Sequence, residues 1–387
     1  MPTYPDFPKE EYEQRYARAR VLMEAHGIDG LLVTEELNYI YFSGHRSQQN
    51  PIDKIRPYVY VLPKNGEGAL ITMPFEVAQV LETTWVENIK TAGLMAHTDT
   101  IVSVLKEKGL AKGRIGAELG REQYLGINYK QFEQIRKNLP NAEFVDAAPI
   151  LLKLRGTKSP REIAYVRKAA EITAKSITQT YEAIQSGMTG IEISRVLRTF
   201  LAQNGGEKVT FMCVTAGLGP GSGMVSVATE RKIRPGDVLV LDTGVEYRGY
   251  ASDVARSASV GEPTKEVAEF YQWMGDVRRE CISLLRAGTR PQEVVNRCRA
   301  LIAERGLETT GVGRIGHGVG LESTEYPSIA MEEDVTLEEG HVLTCNPNFV
   351  RPFGFINGED MWLVTKGDPE LLSGPEAPRE LAIVRVK

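Results

Sequence analysis

The sequence predicts an α+β protein of two domains, an amino-terminal α/β domain over residues 1–150 and a carboxy-terminal domain of two related halves over residues 151–387. Three observations predict this. Short apolar runs alternate with helical segments through the first part of the chain. Ser159-Pro160-Arg161-Glu162 then opens a long helix and marks a change of pattern. Beyond it, a segment recurs: GMTGIEISRVLRTFLAQNG (187–205) and GTRPQEVVNRCRALIAERG (288–306) align without a gap.

In chain order, residues 9–26 suit an amphipathic helix. GLLVT (30–34), YVYVLP (58–63) and ALITM (69–73) suit buried strands. The recurring segments match at Gly187/Gly288, Glu192/Glu293, Arg198/Arg299, Ala202/Ala303 and Gly205/Gly306. Each copy is a helix that starts after a turn and stops at glycine. Each precedes a strand-rich stretch, so the second domain is expected to be pseudo-twofold with a site between its halves; chance similarity of two helices is the alternative.

Composition excludes several classes. The chain has 387 residues, 42% hydrophobic and 25% charged, as a globular protein does. A net charge of -5 and a pI near 5.8 give no electrostatic case for nucleic acid or an anionic membrane. No apolar run reaches the roughly 18 residues of a membrane span. The first residues lack an apolar signal core, so a cytoplasmic location is expected. Cys213, Cys281, Cys298 and Cys345 fit no metal spacing and are expected to be reduced core thiols. Histidine is scarce: His26, His45, His97, His317 and His341.

The strongest local signal is GDVLVLDTGVEYRGYASDVARS (236–257). VLVLD reads as a buried strand ending at Asp242. Glu246–Gly249 reads as a turn, and a return strand begins at Tyr250. This hairpin brings Asp242 and Asp253 together. Two carboxylates on apolar strands need a cation, a proton or basic partners; two unrelated turn aspartates are the alternative. In IGHGVGLESTEYPS (315–328), glycines frame His317 and are expected to let the backbone approach a ligand. That framing favours a ligand or proton-transfer role over a structural histidine. Glu359 precedes an apolar run in GFINGEDMWLVTK; it either joins the carboxylates or is a solvated start of a strand.

Together these residues resemble the creatinase/aminopeptidase P/prolidase superfamily (M24 peptidase-like, pita-bread fold), as an atypical member. The resemblance covers nearly the whole chain, including ELNYIYFSGHR (36–46), the KSPREI helix start, the repeat and the three carboxy-terminal motifs. It implies a pita-bread domain and a likeness to proteins that bind divalent ions through Asp, Asp, His, Glu and Glu. The motifs map Asp242, Asp253, His317 and Glu359 onto four of these ligands. The remaining glutamate falls on Asn346, whose neutral oxygen removes a charge and lowers metal affinity. Peptidases of the family also carry two further histidines. One falls on Thr324, the other near Val225-Ser226, and creatinase-type relatives use the latter as proton shuttle.

The expectations are therefore as follows. The leading function is hydrolysis of a C–N bond in a small polar molecule. A metal-dependent Xaa-Pro dipeptidase or aminopeptidase is the alternative, and a non-catalytic binding domain is third. His317, Glu359 and Asp253 are the catalytic candidates, with Glu359 or Asp253 as general base. Asp242, Asp253, His317 and Glu359 are the metal candidates, for Mn, Co, Zn or Fe, with at most about one ion tightly bound and a metal-free site as the alternative. Arg46, Thr324 and Asn346 are the substrate-binding candidates. Arg46 is expected to meet a substrate carboxylate or to be an exposed loop arginine. The partners expected are a small-molecule substrate and a second copy of the chain in a homodimer. The glycine-rich AGLGPGSG (216–223) lacks the lysine of a phosphate loop and is expected to face substrate.

Overall fold

The computed structural model describes residues 6–47, 58–93, 97–217, 226–307 and 313–385. The chain forms two compact units, Met1–Arg155 and Gly156–Lys387. The first contains α1 (Lys9–Ala25), β1 (Gly30–Val33), α2 (Glu36–Ser43), β2 (Val59–Pro63), β3 (Ala69–Thr72), α3 (Val77–Thr83), β4 (Ile89–Thr91), α4 (His97–Glu107), β5 (Arg114–Ala117), α5 (Tyr129–Asn138) and β6 (Glu143–Asp146), and leads into α6 (Ala148–Gly156). Its six-stranded sheet has the order β4-β3-β2-β1-β5-β6. β1 pairs antiparallel with β2 and parallel with β5, so the sheet is mixed. The three apolar runs are its strands β1, β2 and β3, buried along their length as the absence of alternation predicts. Residues 9–26 do hold a helix, but its buried face mixes Tyr12, Tyr16, Ala19 and Met23 with Glu11 and Arg15. The Arg15 guanidinium lies 4.3 Å over the ring of Phe7 and donates to the Tyr41 carbonyl, which satisfies a charge that would otherwise be costly to bury.

The second unit opens with α7 (Pro160–Ala183). Ser159 Oγ accepts from the Glu162 amide while the Glu162 carboxylate accepts from the Ser159 amide, with proline in the first turn. This closes the helix start that the sequence marks. There follow α8 (Gly190–Gln203), β7 (Lys208–Ala216), β8 (Val238–Tyr247), β9 (Tyr250–Ala251), β10 (Val254–Val260), α9 (Lys265–Ile282), α10 (Pro291–Ala303), β11 (Arg314–Gly318), β12 (Glu325–Ala330), β13 (Val342–Thr344), β14 (Phe349–Arg351), β15 (Gly354–Ile356), β16 (Met361–Leu363), β17 (Glu370–Leu371) and β18 (Ala382–Val384). The recurring segments are α8 and α10. Gly205 and Gly306, just past them, take φ of 101° and 63°, which a side chain rarely adopts. Each helix leads to its own five-stranded sheet, β18-β10-β8-β7 with β9 beside β8, and β12-β11-β13-β16-β17. Apolar residues of α9 and α10 form one core with the second sheet, from Phe270 and Met274 through Ile302 to Ile329 and Trp362. Between the halves, Ala255 and Glu359 exchange backbone hydrogen bonds of 3.0 and 3.2 Å.

Candidate active site

The site lies along that seam. β8 carries Asp242 opposite Ala255 of β10, and the turn closing the hairpin is taken by Arg248 and Gly249, both at positive φ. Asp253 sits in the break between β9 and β10, and Glu359 lies beside Ala255. The second sheet supplies His317 from β11.

The glycines framing His317 have a packing role. A Cβ on Gly316 would lie 2.2 Å from the Thr344 carbonyl oxygen, and one on Gly318 would lie 2.3 Å from that of Tyr326. They let neighbouring strands close on β11.

Asp253 and Glu359 are 5% and 1% exposed. The His317 Nε2 atom lies 3.6 Å from Asp253 Oδ2 and 3.8 Å from Glu359 Oε1. His317 Nδ1 is 3.1 Å from the Gly318 carbonyl oxygen, which only accepts, so the Nδ1 proton donates there and Nε2 presents its lone pair to the carboxylates. Burial, with Arg314 adding to it, pushes His317 down to about 4, so the ring is neutral at physiological pH. Burial raises Asp242 and Asp253 well above the usual carboxylate range, and the Glu359 charge adds to both. Glu359 rises to about 7 through burial, partly offset by hydrogen bonds from neighbouring side chains.

Asp242 Oδ1, Asp253 Oδ1 and Glu359 Oε1 are buried without a hydrogen-bond partner among the described residues. Asp253, His317 and Glu359 offer ligand atoms within 4.8 Å of one another. Lone pairs that converge without protons repel unless a cation lies among them, so the donor set fits a divalent ion. Asp242 is the adjoining fourth carboxylate or imidazole ligand candidate.

The remaining predicted residues behave differently. Asn346 reaches the cluster, where its Nδ2 donates to Glu359 Oε2 at 2.7 Å. Thr324 is exposed between β11 and β12. Its neighbour Glu325 is buried and faces Lys158 Nζ at 3.4 Å. Arg46 belongs to the first unit, where Asp6 holds it at 3.2 Å. His341 is buried and accepts from the Glu338 amide through Nδ1. Most of the AGLGPGSG loop, and Val225, lie outside the described residues.

Three residues were missed. Asn357 Nδ2 lies 3.3 Å from both Asp242 Oδ2 and Glu359 Oε2. It stands two residues before Glu359 in extended chain, on the same side, and that spacing was a usable signal. Cys213 pairs with Asp242 across β7 and β8 and is half-buried. Burial and the Asp242 charge push its thiol up to about 11. Unlike Cys281, Cys298 and Cys345, it is therefore not a core thiol; the register that places it could not be read from sequence. Arg314, which donates to Ser328 Oγ at 3.2 Å, acts electrostatically on both His317 and Asp253.

The buried carboxylate–histidine cluster is a donor set that fits a metal-dependent hydrolase, and the family comparison places the chain in the metallopeptidase class. Residues 164–366 match metallopeptidase family M24 and residues 15–156 match the Creatinase/Prolidase N-terminal domain, and the chain belongs to family M24. It is 27% identical over 370 residues to the Xaa-Pro dipeptidase of Pyrococcus furiosus, covering 95% of this chain and 99% of that one. The uncharacterized peptidase YqhT of Bacillus subtilis is 27% identical over 369 residues, at 95% and 99% coverage. Among solved structures, the Xaa-Pro dipeptidase from Bacillus anthracis superposes with a TM-score of 0.85 at 27% identity, covering 96% of this chain and 99% of that one. Dipeptidase PepE from Mycobacterium ulcerans shares the fold, with a TM-score of 0.85 at 24% identity over 98% of this chain and 100% of that one. No helix among the described residues is long and apolar enough to cross a membrane.

Proposed function

We propose that the chain is a metal-dependent dipeptidase of Xaa-Pro type. This reverses the order of preference expected from the sequence, because the relatives described above carry dipeptidase names. The observation that carries the proposal is the convergence of the His317 lone pair with the Asp253 and Glu359 oxygens, 3.6 and 3.8 Å away. Asp242, Asp253, His317 and Glu359 would hold the ion, with at most about one bound tightly because Asn346 brings no charge. A divalent ion bound there supplies a Lewis acid that polarises the scissile carbonyl and acidifies a water. Glu359 takes a proton from the attacking water and delivers it to the leaving nitrogen as the C–N bond breaks. Asp253 is the other candidate for that proton. Asn346 orients Glu359 through its hydrogen bond. The proposal includes a cytoplasmic homodimer.

A second reading, hydrolysis of a C–N bond in a small non-peptide molecule, is favoured by one observation. The position expected to carry a second histidine is the exposed Thr324. Assays of a dipeptide panel beside small amides, with manganese or cobalt, separate the two. Release of proline is expected, and Asp242→Ala combined with His317→Ala abolishes it. No turnover with any metal, or unchanged turnover in that double variant, overturns the proposal.

A further inference from the structure

The second unit holds another cleft, of about 590 Å³, which Asp242, Asp253, His317 and Glu359 do not line. That volume suits a small organic molecule. Lys265, Glu266 and Glu269 border it from the amino end of α9, with Phe270, Arg305, Leu307 and Arg351 around them. Lys265 Nζ pairs with Glu269 at 3.7 Å, which leaves Arg305 and Arg351 against Glu266 alone. The Arg305 guanidinium lies 4.8 Å over the Trp273 ring, and that of Arg351 5.6 Å over Phe270. A ring face attracts a guanidinium without occupying its N–H fork. Among the described residues, neither side chain has a hydrogen-bond acceptor or a counter-ion, and Arg351 Nε is buried. Arg15, Arg20 and Arg278 also bury Nε unpartnered, but each anchors elsewhere, on the carbonyls of Tyr41, Gly66 and Ala377. Arg351 has no such anchor among the described residues. The missing complement is an oxyanion.

The two forks come from different elements, Arg305 from the chain after α10 and Arg351 from the end of β14. One fork saturates the two oxygens of a carboxylate, whereas a phosphate ester has a third oxygen for the second fork. The amino end of α9 adds the positive end of its dipole. Phe270 and Leu307 give the organic part of such an ester an apolar wall.

The cleft is tied to the hydrolytic site by one hairpin. Arg351 and Gly354 are the last pair of β14 and β15, next to the turn. Phe349 and Phe353 seat the hairpin on Phe270, with ring centroids 5.4 and 5.5 Å away. At its other end, Asn346 precedes β14 and Asn357 directly follows β15. These are the two amides that donate to Glu359 Oε2, at 2.7 and 3.3 Å. We propose that the cleft binds a small phosphate ester through Arg305 and Arg351, and that its occupancy fixes the β14–β15 hairpin and with it the amides that orient Glu359. The binding stands apart from the dipeptidase reading; only the effect on turnover rests on it.

Calorimetry with phenyl phosphate on the full-length, manganese-loaded protein tests the site, with benzoate as the planar anion. Phenyl phosphate is expected to bind about tenfold tighter than benzoate or better. Arg305→Gln, at an exposed side chain, and Arg351→Lys, which keeps the charge but loses the fork, should each weaken it about tenfold, and the two together should abolish it. Hydrogen exchange over residues 348–357 reads the coupling without turnover: the ester is expected to slow it in the unaltered protein and not in the double variant. At saturating dipeptide, the ester should raise kcat about fivefold, the lower end of ordinary coupling between sites. No binding, equal affinity for benzoate, binding that survives in the double variant, or unchanged exchange overturns the proposal. If the ester slows exchange but no dipeptide is cleaved, the dipeptidase reading fails and the phosphate site stands. If dipeptide is cleaved and the ester leaves both exchange and kcat unchanged, the reverse is true.

Discussion

Glu118 in the first unit and Glu359 in the second are both buried, at 2% and 1% exposure, and burial lifts both to about 7. Their donors differ. Glu118 accepts from the Thr34 amide and hydroxyl at 2.9 and 2.7 Å, from the Glu35 amide at 3.0 Å and from Asn38 Nδ2 at 3.2 Å, so both oxygens are occupied. Glu359 Oε1 has no such partner among the described residues and faces the His317 lone pair. Asp360, adjacent to Glu359, resembles Glu118: Arg256, Ser373 and the Ala377 amide fill its oxygens. A buried carboxylate with a full donor set ties the fold together, whereas one that faces other lone pairs awaits a cation.

The sharpest way to break this comparison is to neutralise one carboxylate of each kind. Asp253→Asn is expected to lower kcat/KM about 10³-fold, or about 4 kcal/mol of transition-state stabilisation, without lowering the melting temperature of ion-free protein. Steady-state kinetics beside thermal melts decide it; a lost fold would place Asp253 with the structural carboxylates. Glu118→Ala should do the opposite, costing about 3 kcal/mol of stability in denaturant titration by stranding the Thr34 and Glu35 amides, while the folded fraction keeps its activity. Manganese at a hundredfold excess over its Kd should stabilise the unaltered protein by about 2.7 kcal/mol and leave Glu359→Gln nearly unmoved.

The smallest effect is one of sign. Burial raises Asp360, but Arg256 and Arg278 outweigh it and hold the carboxyl below its usual value. Its stabilising contribution is present above the ordinary aspartate range and is lost as pH falls below about 4. Asp242 and Asp253 are raised, so the ion-free fold loses their contribution as pH climbs from that same range. Melts of ion-free protein should therefore fall off on both sides, and manganese should remove only the alkaline loss. An alkaline loss that persists with the ion bound would separate the cluster from metal binding.

Much of this was legible in the residues. Apolar runs without alternation gave β1, β2 and β3, and Ser159-Pro160 gave the start of α7, because these signals act over a few neighbouring residues. The recurring helices α8 and α10 announced two halves, and VLVLD delivered Asp242 to a strand. That Asp253, His317 and Glu359 would stand together was expected from motif positions and from the cost of burying carboxylates unpaired, and they lie within 4.8 Å of one another.

What tertiary structure alone decided is which atoms meet. Strand register set Cys213 opposite Asp242, a bridge between halves set Glu359 beside Ala255, and the packing of Thr344 and Tyr326 explained the glycines around His317. Sequence identified the acidic residues because burial of a charge is a local improbability. It could not show why Glu359 faces the cluster while Asp360 beside it is saturated with donors, because that depends on which distant strands reach each oxygen, and donor geometry exists only once the chain has folded.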